Sequence, residues 1–88
     1  MYRYSDIKPK LFTEDGSVMF TKIRDRVKRL LAESGAFTMG AAIRVAGGGD
    51  SWTMLACVDR LVELGEIREV TEPGVVAGQD RVFVEVRS

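Results

Sequence analysis

The chain has 88 residues, of which 45% are hydrophobic and 30% are charged, and its formal net charge at pH 7 is zero. This composition predicts one soluble globular domain with a single small core, and it excludes extensive disorder and a membrane-spanning segment. The N-terminal residues lack the apolar block of a signal peptide, so we expect a cytoplasmic protein with no membrane partner.

The residue types that most enzymes use are scarce. The chain contains no histidine, which is the commonest general base and metal ligand, and one cysteine, Cys57, which cannot form an internal disulfide. Cys57 lies among apolar residues of a predicted helix, which favours a buried, unreactive thiol over a nucleophile. We therefore predict a protein that is not an enzyme and that binds no metal and no cofactor.

The charge is unevenly distributed along the chain. Residues 1–44 contain nine Lys or Arg and five acidic residues, a charge of +4, whereas residues 45–88 contain four basic and eight acidic residues, a charge of −4. The two halves are therefore suited to different partners.

The first elements are an arm and a long helix. Residues 1–16 show no sustained periodicity and include Pro9, so we predict an extended N-terminal arm ahead of a domain at residues 17–88. The apolar residues of the arm could pack on the same chain or on a partner. A first helix is predicted from its N-cap at Ser17 to Gly35, because apolar residues recur at helical spacing between them.

A short strand, two helices and a hairpin are predicted next. Residues 36–38 could form a strand, and residues 39–46 form a brief second helix. A third helix runs from Ser51 to about Leu64 and is stopped by Gly65. The period then shortens to two in "EIREVT" and "RVFVEV", which predicts a β-hairpin with Val82, Val84 and Val86 on one face.

Three consecutive glycines, at residues 47–49, raise the question of a phosphate-binding loop. Such a loop needs a preceding buried strand, spaced glycines and often a following lysine. Here a helix precedes the glycines, and Asp50, whose carboxylate would repel a phosphate, follows them. We therefore predict no nucleotide binding and assign the glycines to a turn between two helices.

The order helix, short strand, helix, turn, helix, hairpin, together with "LVELGEIREV" at residues 61–70, resembles a winged helix-turn-helix domain. The resemblance covers residues 17–87 and is one of fold, not of a named subfamily. It implies an α+β fold in which a three-helix bundle carries a C-terminal two-stranded β-hairpin as a wing, with residues 36–38 as a short third strand.

In DNA-binding members of this family the outward face of the third helix enters the major groove. The residues predicted to point outward are Ser51, Trp52, Thr53, Ala56, Asp59, Arg60 and Glu63. The resemblance implies that Arg44 and the arm lie beside the groove and that Arg81 belongs to the wing. The DNA-binding candidates are Arg44, Ser51, Trp52, Thr53, Arg60 and Arg81.

The charge of the third helix argues against DNA binding. Residues 50–66 contain one basic and four acidic residues, a net charge of −3 that a duplex would repel unless other residues compensate.

Two functions remain open at this point. One is a small DNA-binding regulator of transcription or accessory factor, acting as a homodimer on double-stranded DNA. The other is a protein-interaction or dimerisation module that does not bind DNA, with Trp52, Val75 and Val76 as interface candidates. The valines either extend the second strand of the hairpin and pack inward or lie exposed in its loop.

Overall fold

The computed structural model describes residues 1–44 and 51–86. Its described residues form an α+β fold of four α-helices and three β-strands. The helices are α1 (Tyr4–Ile7), α2 (Glu14–Ser34), α3 (Met39–Ile43) and α4 (Ser51–Glu63), and the strands are β1 (Ala36–Thr38), β2 (Ile67–Glu69) and β3 (Val82–Glu85). The predicted glycine turn and Asp50 lie outside the described residues.

Residues 4–12 of the N-terminal segment, residues 1–12, are helical, so the extended conformation predicted for residues 1–16 is wrong. α1 is followed by a 3-10 turn, Lys8–Phe12, with a proline in its first turn, where a missing N–H costs nothing. Ile7 and Leu11 are buried in the hydrophobic core. Helices of four or five residues are too short to show a periodicity in sequence.

The N-cap of α2 is Thr13 and not the predicted Ser17. The Thr13 hydroxyl accepts a hydrogen bond from the backbone N–H of Gly16 at 3.1 Å, and two acidic residues follow in the first turn, where the helix dipole favours them. The predicted end is confirmed, since Gly35 has a φ of 74° and its N–H donates to the carbonyl of Leu31 at 2.8 Å.

The core lies between α2, α3, α4 and one face of the sheet, and the N-terminal segment closes it. Its largest fully buried side chains are Phe83, Ile23, Met39, Leu61, Ile67, Val27, Val58 and Cys57. Among the described residues, no polar or charged residue is buried to the same degree, so burial of apolar surface is the main contribution of this core to folding.

The sheet is antiparallel, with the strand order β1-β3-β2. The predicted strand at residues 36–38 and the predicted hairpin are both confirmed. Because side chains alternate along a strand, Phe37 and Phe83, whose rings stack at 5.4 Å, face the core, and Val82 and Val84 share the opposite face. The hairpin loop, residues 70–81, includes a 3-10 turn at Gly78–Asp80.

α4 ends as the sequence predicts. Gly65 has a φ of 77°, its N–H donates to the carbonyl of Val62, and the N–H of Glu66 donates to the carbonyl of Leu61, both at 3.0 Å. These two bonds provide donors for backbone carbonyls that otherwise have no hydrogen-bond partner at the end of a helix. None of the helices in the described part of the chain is both long enough and apolar enough to span a bilayer.

We expect Gly16→Ala to destabilise the fold by at least about 2 kcal/mol, in the range of overpacked cores. The added Cβ would lie 1.8 Å from the carbonyl oxygen of Lys10, so the backbone of the N-terminal segment would have to move. Urea unfolding monitored by circular dichroism measures the change. The control is Gly78→Ala, where nothing lies within 4 Å of the new Cβ; there we expect a change of at most about 1 kcal/mol, toward stabilisation. Equal losses in the two variants would contradict this packing.

Candidate functional site

The side of α4 opposite the core carries the residues that would face a DNA groove. Trp52, Ala56, Asp59 and Glu63 follow one another at intervals of four, three and four residues, which places them on one face of the helix. These four residues are named the outward stripe. The opposite face of α4 is buried in the core through Met54, Cys57, Val58 and Leu61.

The N-terminal segment is bound along the outward stripe. The hydroxyl of Tyr2 donates to Asp59 Oδ2 at 2.7 Å, and the hydroxyl of Tyr4 donates to Glu63 Oε1 at 2.8 Å. Lys8 Nζ donates to Glu63 Oε2 at 2.9 Å. Both carboxylates of the stripe therefore accept hydrogen bonds from the N-terminal segment.

The two uncharged members of the stripe are also engaged. The ring of Trp52 makes an edge-on contact with the ring of Tyr2, with centroids 6.3 Å apart. Ala56 is fully buried, although the sequence pattern placed it on the outward face. That expectation was wrong because it treated α4 as a helix with one packed side, whereas the N-terminal segment packs on a second side.

The pKa shifts of the tyrosines and of Glu63 agree with the hydrogen bonds that they form. Burial and the hydrogen bond to Glu63 raise the pKa of Tyr4 to about 12, and burial with the bond to Asp59 also raises the pKa of Tyr2. Hydrogen bonds from Lys8, Tyr4 and Arg60 lower the pKa of Glu63 to about 2. At neutral pH the phenols are therefore donors and the Glu63 carboxylate is an ionised acceptor.

Arg60, one of the predicted DNA-binding residues, is held in a cluster of contacts within the chain. Its guanidinium forms an ion pair with Glu63 and lies 5.4 Å from the ring centroid of Phe12 in the N-terminal segment. A bidentate contact to a base would require both interactions to be given up.

Arg81, the predicted wing residue, is held between α4 and β2. Its Nη2 donates to Asp59 Oδ1 at 2.9 Å and to Glu69 Oε1 at 2.8 Å, and its guanidinium lies 5.2 Å from the ring centroid of Phe83. The bonds to Glu69 and Asp59 raise the pKa of Arg81. The structure thus engages Arg81 in an internal network, a role that the sequence did not indicate because its partner in α4 is 22 residues away.

The remaining candidates lie near the start of α4 and directly after α3. Ser51 and Arg44 are exposed, at the start of α4 and at the end of α3, and Thr53 is half-buried. Trp52 is 42% exposed beside the N-terminal segment. Of the six DNA-binding candidates, the structure brings Arg60, Arg81 and Trp52 into contact with other parts of the chain.

The interface candidates in the hairpin loop are exposed. Val75 is 38% and Val76 is 96% exposed, so the alternative in which they pack inward is wrong. The loop turns back onto α3 near Gln79, whose carbonyl oxygen approaches Gly40 closely enough that a Cβ there would lie at 3.2 Å.

No model of a known protein family, no curated protein and no solved structure matches this chain.

Little in the described residues points to covalent or metal chemistry. Cys57 is buried, and burial raises the pKa of its thiol to about 12, which leaves almost no thiolate at neutral pH. Within the described ranges, no group of three or more Cys, Asp or Glu side chains is placed to hold a metal ion.

We expect both tyrosines to resist ionisation in the folded protein. Because the folded state raises the pKa of each phenol above its usual value of 10.0, their contribution to stability is present below pH 10 and is lost as the pH rises beyond it. Ultraviolet absorbance of phenolate, recorded with circular dichroism, measures both events. A phenolate midpoint near pH 10 in a protein that is still folded would contradict the hydrogen bonds of Tyr2 and Tyr4.

We expect the opposite dependence for Glu63. Its lowered pKa stabilises the fold above pH 4.5, and this contribution is lost as the pH falls toward about 2. The difference in urea midpoint between the wild type and Glu63→Gln should therefore shrink over this interval. Glu33→Gln, at an exposed position of α2, is the control. A difference that stays constant with pH would show that the carboxylate charge of Glu63 is not what the N-terminal segment binds.

Proposed function

We propose that this chain is a winged-helix protein-interaction module in which α4 does not read DNA. The winged-helix assignment is supported by the order of α2, β1, α3, α4 and the β2–β3 hairpin, and by the strand order β1-β3-β2. In this assignment α2, α3 and α4 are the three helices of the bundle, and the hairpin loop is the tip of the wing.

The observation that carries the proposal is the N-terminal segment on the outward stripe. A duplex could reach the stripe only after the hydrogen bonds of Tyr2, Tyr4 and Lys8 had been broken. Removal of the segment would then present Asp59 and Glu63 to the phosphates, which repel carboxylates. Covered or uncovered, this face of α4 is a poor surface for DNA.

Exposed apolar side chains supply the second support. Phe12 is 64% and Leu64 is 46% exposed, and both line a shallow groove between the 3-10 turn, α2 and the end of α4, together with Leu11 and Phe20. Exposed aromatic and aliphatic residues around a groove are typical of protein contact surfaces. The partner that binds this groove is a second copy of this chain or a different protein, and the experiment below distinguishes these two partners.

The hypothesis of a DNA-binding regulator stays a prediction. Its required surface is the one that the N-terminal segment occupies, and two of its candidate side chains, Arg60 and Arg81, are engaged in ion pairs. The geometry therefore favours the protein-interaction module.

We expect the wild-type chain to form a complex that depends on the groove. Sedimentation velocity over a range of concentrations tests self-association, and a photo-crosslinking residue in place of Phe12, introduced in cells, tests a different protein. Phe12→Ser with Leu64→Ser should abolish the concentration-dependent mass, and Leu64→Ser in the crosslinking variant should abolish the crosslinked product. Val18→Ser, which removes an apolar side chain that is 53% exposed, is the matched control.

Two outcomes would contradict the proposal. One is a strictly monomeric chain that gives no specific crosslinked product. The other is selection of one sequence motif from a random pool of DNA duplexes, with the selection lost in Trp52→Ala, because this would assign base reading to α4.

A further inference from the structure

A second surface of the molecule lies on α2, on a side other than the groove. Lys22, Arg26 and Arg29 follow one another at intervals of four and three residues and line a shallow depression with Asp25. These three basic residues, together with Arg44, are named the basic stripe.

Arg44 is assigned to the basic stripe because α3 packs beside this face of α2. The Nε of Arg26 donates to the backbone carbonyl of Ala41 in α3 at 3.3 Å. Arg44 follows Ala41 by three residues, about one helical turn, and is exposed at the end of α3. The basic stripe therefore extends from α2 onto the neighbouring helix.

The positive charge of the stripe is local. The three basic residues of the depression are opposed there by Asp25, a net charge of +2, and Arg44 adds one positive charge after α3, while the whole chain has a net charge of zero. Elsewhere the ion pairs of the described residues hold Lys8, Arg24, Arg60 and Arg81. Lys22, Arg29 and Arg44 of the basic stripe are exposed, and Arg26 is half-buried.

The composition and spacing of the stripe favour a phosphate backbone over a protein. Protein interfaces are rich in aromatic side chains and poor in lysine, whereas the depression is lined by charged side chains. At a rise of about 1.5 Å per residue, Lys22 and Arg29 are about 10 Å apart along α2. One strand of a duplex carries about three phosphates over that length of its axis.

We propose that the basic stripe binds the phosphodiester backbone of double-stranded nucleic acid without reading its sequence. The Lys and Arg side chains neutralise phosphates and release counterions, while Asp25 limits how many phosphates are contacted. α4 takes no part in this binding, so the outward stripe stays covered by the N-terminal segment. The proposal is independent of the protein-interaction function, because the groove at Phe12 and Leu64 is lined by other residues.

The experiment measures fluorescence anisotropy of a short labelled DNA duplex of arbitrary sequence at increasing salt. For four neutralised phosphates the plot of log affinity against log salt should have a slope of about −3 to −4. Lys22→Ala with Arg29→Ala should reduce the magnitude of the slope by about 2 and weaken binding at low salt. An RNA duplex should show the same loss, since the phosphodiester chemistry is shared.

The matched control is Lys28→Ala with Arg68→Ala, which removes the same charge from residues beside the β2 and β3 side of the molecule. We expect the control to keep the wild-type slope, and circular dichroism to show that both variants are folded. The proposal is overturned if the wild type does not bind at low salt, if the control loses as much as the test variant, or if polyglutamate competes as well as a duplex. Failure of the groove variants to alter self-association or crosslinking bears only on the protein-interaction function.

Discussion

The carboxylate of Asp59 joins three parts of the chain that are distant in sequence. One oxygen accepts from the hydroxyl of Tyr2 in the N-terminal segment, and the other accepts from Arg81, which in turn binds Glu69 of β2. The side chain of Asp59 is only 14% exposed, so loss of either donor would leave a largely desolvated charge without its compensation. The docking of the N-terminal segment and the position of the hairpin against α4 both depend on this one group.

The basic residues of the chain fall into two groups, those that form ion pairs within the chain and those that are exposed to solvent. Arginines that could have faced a ligand from α4 or the hairpin are engaged with carboxylates of the same chain, and their contribution is to hold elements together. The carboxylates of Asp59, Glu63 and Glu66 are paired with cations of the same chain. Among the described residues, Lys22 and Arg29 of α2 form no such ion pair, and the surplus of positive charge in the first half of the sequence is exposed on one face of α2 and at the end of α3.

Local signals determined which features could be predicted from the sequence. α2, α4 and their glycine ends follow from apolar periodicity and C-cap chemistry, and the hairpin follows from alternation. The cap at Thr13 was missed although two acidic residues after it were a usable signal. The contacts of the site could not be predicted from the sequence, because the hydrogen bonds of Asp59 with Tyr2 and with Arg81 join residues 57 and 22 positions apart. A helix wheel of α4 alone cannot show that two of its sides are packed.

The contact between Tyr2 and Trp52 gives the molecule an optical property. Trp52 is the only tryptophan of the chain, and its ring lies partly exposed where the N-terminal segment meets the start of α4. Its fluorescence therefore depends on whether that segment is in place, without any attached label. Cleavage within the segment and acid or alkaline release of its carboxylate contacts can both be followed by the emission of this single indole.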